Sequence, residues 1–173
     1  KRLYYKYKAR RIAIDANGLG IGLVDYMVKS QIDPETGEYL PDFGVENDDE
    51  GFYKKFKTVE TETDAMYLIK ANAPINTEAH TYVQTQLASG KIKFLIDETM
   101  AKTKLLSTKV GQNMSMSQRN DYLKPFMLTT ILREQMLNLV EENEGINIIL
   151  KQSSRSIKKD KFSAFLYGLY YIK

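Results

Sequence analysis

The stretch Arg11-Ile12-Ala13-Ile14-Asp15-Ala16-Asn17-Gly18-Leu19-Gly20-Ile21-Gly22-Leu23-Val24-Asp25 decides how the chain is read. Ile12 to Ile14 form a short apolar run that closes on a carboxylate, the pattern of a strand over 11–15 ending at Asp15. Three glycines then turn the chain, and Leu23, Val24, Met27 and Val28 recur at helical spacing, which predicts a helix over about 20–30. Sheet folds gather function at strand carboxyl ends, so Asp15 is the first candidate site residue. The spacing Gly18-x-Gly20-x-Gly22 departs from the dinucleotide fingerprint, and no Gly-Lys-Ser/Thr follows. An acid directly before the glycines repels phosphate unless a cation intervenes, which points to metal chemistry.

Outward from this unit the same alternation continues. Residues 1–9 read as the end of a helix feeding the strand. Residues 33–63, with Pro34, Pro41 and the run Glu46-Asn47-Asp48-Asp49-Glu50, lack sustained periodicity and read as an acidic surface excursion. Ala65 to Ala71 reads as a buried strand, Thr77 to Ser89 as a helix capped by Thr77 and closed by Gly90, and Lys91 to Asp97 as an alternating strand. A polar stretch leads into a long helix over about 118–142 with the stripe Leu128, Ile131, Leu132, Gln135, Met136 and Leu139, which Pro125 should kink or delay. Residues 147–151 are a short strand and Ile157 to Ile172 a terminal helix. Recurring strand, helix and strand mark an α/β sheet with mostly parallel neighbours.

Composition narrows the chemistry. At 173 residues and 43% hydrophobic, the chain can bury a core, and no apolar run approaches the roughly 20 residues of a membrane span. There is no cysteine and one histidine, His80, so thiolate and multi-histidine sites are excluded within this sequence. Any ion must be held mainly by oxygen, which favours Mg²⁺ or Mn²⁺. The net charge of +3 hides an asymmetry. Residues 1–11 carry six Lys/Arg and no acid, residues 33–64 carry eleven acids and three lysines, and residues 149–173 carry six Lys/Arg around the single acid Asp160. Basic ends interleaved with tyrosines suit a phosphate backbone. The chain begins at Lys1 without a methionine and reads as a segment of a longer protein.

Phosphodiester hydrolysis by two ions needs converging carboxylates, about 4 Å separating the metals. Asp15 at a strand end and Asp160 near a helix start are the candidates for catalysis and metal binding. Glu78, Asp97 and its neighbour Glu98 are possible third ligands, although acids so placed are more often caps or solvated turn residues. Asp25, on the helix beyond the glycine turn, is placed less well for ligation. His80 reads as a general base or as a neutral surface histidine. Lys158, Lys159, Lys161 and Arg155 surround Asp160 and form a candidate DNA-binding patch, or else a solvated helix end.

Four segments together resemble the nuclease domain of tailed-phage large terminases: Asp15-Ala16-Asn17-Gly18-Leu19-Gly20 with Gly22-Leu23-Val24-Asp25, Leu68 to Asn72, Ser89 to Phe94, and Lys159-Asp160-Lys161-Phe162-Ser163-Ala164 with Tyr167-Gly168. The similarity touches nearly the whole chain except residues 33–63. It implies an RNase H-like mixed sheet flanked by helices, an acidic cluster holding Mg²⁺ or Mn²⁺, and cleavage of concatemeric double-stranded DNA during packaging in the host cytoplasm. The terminase small subunit and the portal are the implied partners. Under the resemblance Asp15 corresponds to the family's second acid and Asp160 to its last. The first acid belongs to an earlier strand. Either that strand lies upstream of Lys1, or an acid such as Glu78 or Asp97 fills its place. Two further readings stay open: a catalytically incomplete fragment that binds DNA or the packaging machine, and a resolvase-like nuclease of the same fold.

Overall fold

The computed structural model describes residues 1–173, the side chain of Leu19 excepted. The chain divides into two compact units, Lys1–Ala79 with Leu166–Lys173, and His80–Phe165. In the first, helix α1 (Arg2–Lys6) precedes strand β1 (Ile12–Asp15) and helix α2 (Leu19–Met27), followed by the short strands β2 (Gln31–Ile32), β3 (Tyr39–Leu40) and β4 (Phe43–Val45). A 3₁₀ turn (Lys54–Phe56) leads to β5 (Glu62–Ile69), and helix α3 (Ala73–Ala88) carries the chain onward.

Strands β1, β5 and β4 form one parallel sheet in that order, with Ile12 opposite Met66 and Asp15 opposite Ile69. The central β5 is paired on both sides, and Ala65, Met66, Leu68 and Ile69 are buried, as expected of a parallel strand covered on its faces. Val24, Met27 and Val28 of the α2 region pack with Ile14, Ala16, Phe43, Val45 and Met66 in one core. Of the helical spacing read from the sequence, Val24, Met27 and Val28 form the face that covers the sheet, whereas Leu23 is exposed.

Reading residues 33–63 as a surface excursion fails on its inner part. Phe43, Gly44 and Val45 are all buried, and β4 is the sheet's third strand. Three residues are too few to display a period, and the flanking acids masked them. Asp42 is itself buried, accepting hydrogen bonds from the Thr58 hydroxyl at 2.8 Å and from Thr61. Burial pushes its carboxyl up, but the two hydroxyls and nearby amides outweigh that and hold it below the usual range. Asp33 is also buried, 3.2 Å from the Arg2 guanidinium.

The second unit holds α4 (Glu98–Leu106), α5 (Lys109–Asn113), α6 (Met116–Leu137), the antiparallel strands β6 (Leu139–Glu144) and β7 (Asn147–Gln152), and the start of α7 (Asp160–Tyr171), which returns the chain to the first unit. Three expectations are corrected. Among the described residues no strand forms over 91–97, although the alternation is real: Ile92, Phe94 and Ile96 are half-buried and Lys91, Lys93 and Leu95 exposed. A period of two supplies an amphipathic face, but a strand also needs a partner edge. Helix α3 begins four residues earlier than expected, because Asn72 Oδ1 accepts the Ile75 amide at 2.9 Å and serves as the cap. Thr77 sits inside the helix with its hydroxyl donated to the Ala73 carbonyl. The long helix runs through Pro125 from a Ser115–Gln118 capping box, and its expected last turn is instead β6.

Candidate functional site

Asp15 is the last residue of β1 and is exposed. Its Oδ1 accepts the Asn17 amide at 3.1 Å, and the Asn17 side chain donates to the Ala71 carbonyl at 2.7 Å, which ties the turn to the end of β5. The three glycines of the turn differ in what they require. Gly18 adopts φ +56°, a conformation L side chains rarely take. Gly20 lies against the strand end so closely that a Cβ there would fall 1.6 Å from the Asp15 carbonyl oxygen. Gly22 faces open space.

Beside this turn, a crevice of about 260 Å³ opens at the carboxyl ends of the parallel strands, lined by Ala16, Asn47, Asp48, Phe52, Leu68 and Lys70 among others. Asn47 extends the sheet with its side chain: Oδ1 accepts the Leu68 amide and Nδ2 donates to the Leu68 carbonyl, both at 2.8 Å. Asp48 accepts the amides of Tyr53 at 2.7 Å and Lys54 at 3.1 Å, which fixes the following turn. Tyr167 donates to Asn76 Oδ1 at 3.1 Å, and burial together with the charge of Asp15 pushes its phenol up. Sequence reading singled out neither Asn47 nor Tyr167. The only signals were the acidic run around Asn47 and the Tyr167-Gly168 pair of the terminase-like motif.

The other candidates are placed as follows. Glu78, also in the first unit, is committed to Lys173 and to the Tyr170 hydroxyl at 3.2 Å, and these donors hold its carboxyl below the usual range. Asp25 is exposed on α2. In the second unit Asp97 is the cap of α4, accepting the Met100 amide at 2.9 Å. Glu98 opens α4, its own amide donated to the Thr130 hydroxyl at 3.1 Å. Asp160 is the exposed first residue of α7. The amides that follow it, of Lys161 and Phe162, both donate to Gln135 Oε1, at 2.9 and 3.0 Å. Gln135 is therefore no part of an apolar stripe: it is buried on α6 because it caps α7. Asn138 pins the preceding loop, bonding both the amide and the carbonyl of Ser154 at 2.9 Å. Arg155, Lys158, Lys159 and Lys161 are exposed and form no ion pair among the described residues. Lys159 reaches the Leu150 carbonyl at 3.5 Å.

Removing the Gln135 amide leaves two α7 donors without their acceptor. Gln135→Ala is expected to cost about 2 kcal/mol, read from the midpoint of urea unfolding. An unchanged midpoint would show that water serves those amides equally well.

His80 is not a surface residue. It is 8% exposed, its ring is 6.2 Å from that of Phe162, and Nδ1 has no hydrogen-bond partner. Burial and, less strongly, the charge of Lys159 push its pKa down, against a backbone hydrogen bond with Ile148 and the charge of Glu141. The folded form therefore binds a proton less readily than the unfolded chain. Stability from this residue is complete above the unfolded value of about 6.5 and is lost as pH falls through it toward the folded pKa, by at most ~1.4 kcal/mol per pH unit. Thermal melts at a series of pH values between neutrality and mild acid should show a shallower acid decline for His80→Gln than for the parent. Parallel curves would remove His80 as the cause.

Among the described residues no three Asp, Glu or His side chains are gathered as a ready metal cage. Among the described residues no helix is long and apolar enough to cross a membrane. Compared with family models, curated proteins and solved structures, the chain matches none.

Proposed function

We propose that this chain is the nuclease domain of a phage DNA-packaging terminase, a Mg²⁺- or Mn²⁺-dependent endonuclease cutting concatemeric double-stranded DNA, with an RNase H-like sheet and with Asp15 and Asp160 as its acidic residues. The observation that carries the reading is the exposed Asp15 carboxylate at the end of a parallel strand, held by Asn17 and backed by a glycine in contact with its carbonyl. Oxygen donors suit a hard cation, and one Asp15 oxygen is already oriented by an amide, as ligating carboxylates are. Mg²⁺ is commonly held by one or two carboxylates together with substrate phosphate, so Asp15 and Asp160 suffice for the reading. When bound, such ions activate water and stabilise the leaving oxygen. The chain's own contribution is to aim Asp15, and to present Lys158, Lys159 and Lys161 as counter-charges to DNA.

Strand β1 is paired on one side only, standing at the end of the order β1-β5-β4. A further parallel strand on that open edge would bring its carboxyl end beside Asp15, which is where the reading places the family's first acid. The small subunit and portal are the partners this reading entails. A second reading, a DNA-binding or assembly fragment without catalysis, rests on the exposed basic residues Arg155, Lys158, Lys159 and Lys161. Nicking of supercoiled plasmid with Mn²⁺ separates the two, together with calorimetric titration of Mn²⁺. Nicking that EDTA stops supports the nuclease. Salt-sensitive DNA binding without nicking or Mn²⁺ uptake supports the fragment.

A further inference from the structure

The segment Gly51-Phe52-Tyr53-Lys54-Lys55-Phe56-Lys57 carries three rings and three cations immediately after the acidic run. Its fold makes a row of them. The Lys55 ammonium lies 4.2 Å from the centre of the Phe52 ring and 5.1 Å from that of Phe56, and Lys29, from beyond α2, lies 6.0 Å from Phe56 on its own account. Phe52 is 56% exposed at the lip of the crevice, and Tyr53 meets it edge-on at 4.9 Å. Asp48 holds the turn rigidly through the amides of Tyr53 and Lys54, so the ring is presented rather than loosely attached.

We propose that this row, Phe52-Lys55-Phe56-Lys29, is a binding track for an unpaired DNA strand, with Phe52 stacking one base and Lys55 and Lys29 meeting phosphates. The inference deepens the nuclease reading by naming the state of the DNA at that site, and it rests on that reading only in taking DNA as the polymer. Rings that stack bases beside cations that meet phosphates are how single strands are held, and with Lys55 over one face of the Phe52 ring the base would stack on the other. A duplex has no free base face to offer the ring. Asp49 and Glu50, exposed beside Phe52, repel a broad anionic surface such as a bilayer, whereas a narrow strand can follow the lysines and keep its phosphates away from them.

The test is fluorescence anisotropy in EDTA with the full chain and a labelled oligothymidine about a dozen nucleotides long, against a duplex of equal length and anionic vesicles as competitors. The parent is expected to prefer the single strand, Phe52→Ala to weaken binding about tenfold, and Phe52→Trp to restore it. Replacing Lys29 and Lys55 together with glutamine should lower the slope of log affinity on log salt by about 1.4. Because Phe52 is largely exposed, melting should be unchanged, and Lys55→Gln gives a second variant that leaves the ring in place. No binding of the oligothymidine, a Phe52→Ala affinity within twofold of the parent, or equal competition by vesicles would overturn the proposal. Phe52-dependent binding without Mn²⁺-dependent nicking would keep the track and remove the nuclease. Nicking with Phe52-independent binding would do the reverse.

Discussion

Asp15→Asn is expected to lower Mn²⁺-dependent plasmid nicking by at least ~100-fold, equivalent to about 2.7 kcal/mol of barrier. The substitution keeps the size of the side chain and an oxygen that can accept the Asn17 amide, so the turn should persist while the negative charge is lost. Asp160→Asn should have a similar effect, since Gln135 and not Asp160 accepts the first α7 amides and the helix start does not depend on the carboxylate. Glu78→Gln should change nicking little, because that carboxylate is already engaged by Lys173 and Tyr170 and the pair is exposed. Unaltered nicking in both aspartate variants of an active parent would remove the assignment.

The second large effect is on the fold. Gly20→Ala is expected to destabilise the first unit by at least ~3 kcal/mol, because the new Cβ would meet a backbone oxygen at 1.6 Å and neither partner is the movable end of a side chain. Relief would require shifting α2 away from β1, and α2 brings Val24 and Met27 into the core. Gly22→Ala, two residues on in the same helix, meets nothing within 4 Å and should stabilise by up to ~1 kcal/mol through helix propensity. Urea melts of the two variants should therefore move in opposite directions. A Gly20→Ala midpoint equal to the parent's would mean that the strand–helix junction is looser than its geometry indicates.

How far the sequence could be read depended on the range of the interaction concerned. The strand ending at Asp15 and the buried strand near 65–69 were legible as apolar runs, and the helix after the glycines by its period. Strand β4 was not, since three buried residues between acids carry no period, and its place is set by pairing with β5. The 91–97 segment shows the opposite failure, a genuine alternation that finds no strand partner. At the candidate site, Asp15 and Asp160 stood out by position, but the residues that hold their surroundings, Asn17, Gln135 and Asn138, did not. Amides that bond a loop or a helix start far along the chain look like any other polar residue until the contact is seen.

By itself, then, the sequence determined the oxygen-only chemistry available to a metal, the strand–turn–helix around Asp15, and the basic setting of Asp160, because composition and local periodicity are properties of neighbours in the chain. Only the tertiary structure decided which of three similar glycines tolerates no side chain, that a buried glutamine starts the last helix, and that a segment read as surface supplies both a core strand and a row of rings and lysines. Each of those depends on a contact between residues distant in sequence, where burial and close approach set the energy.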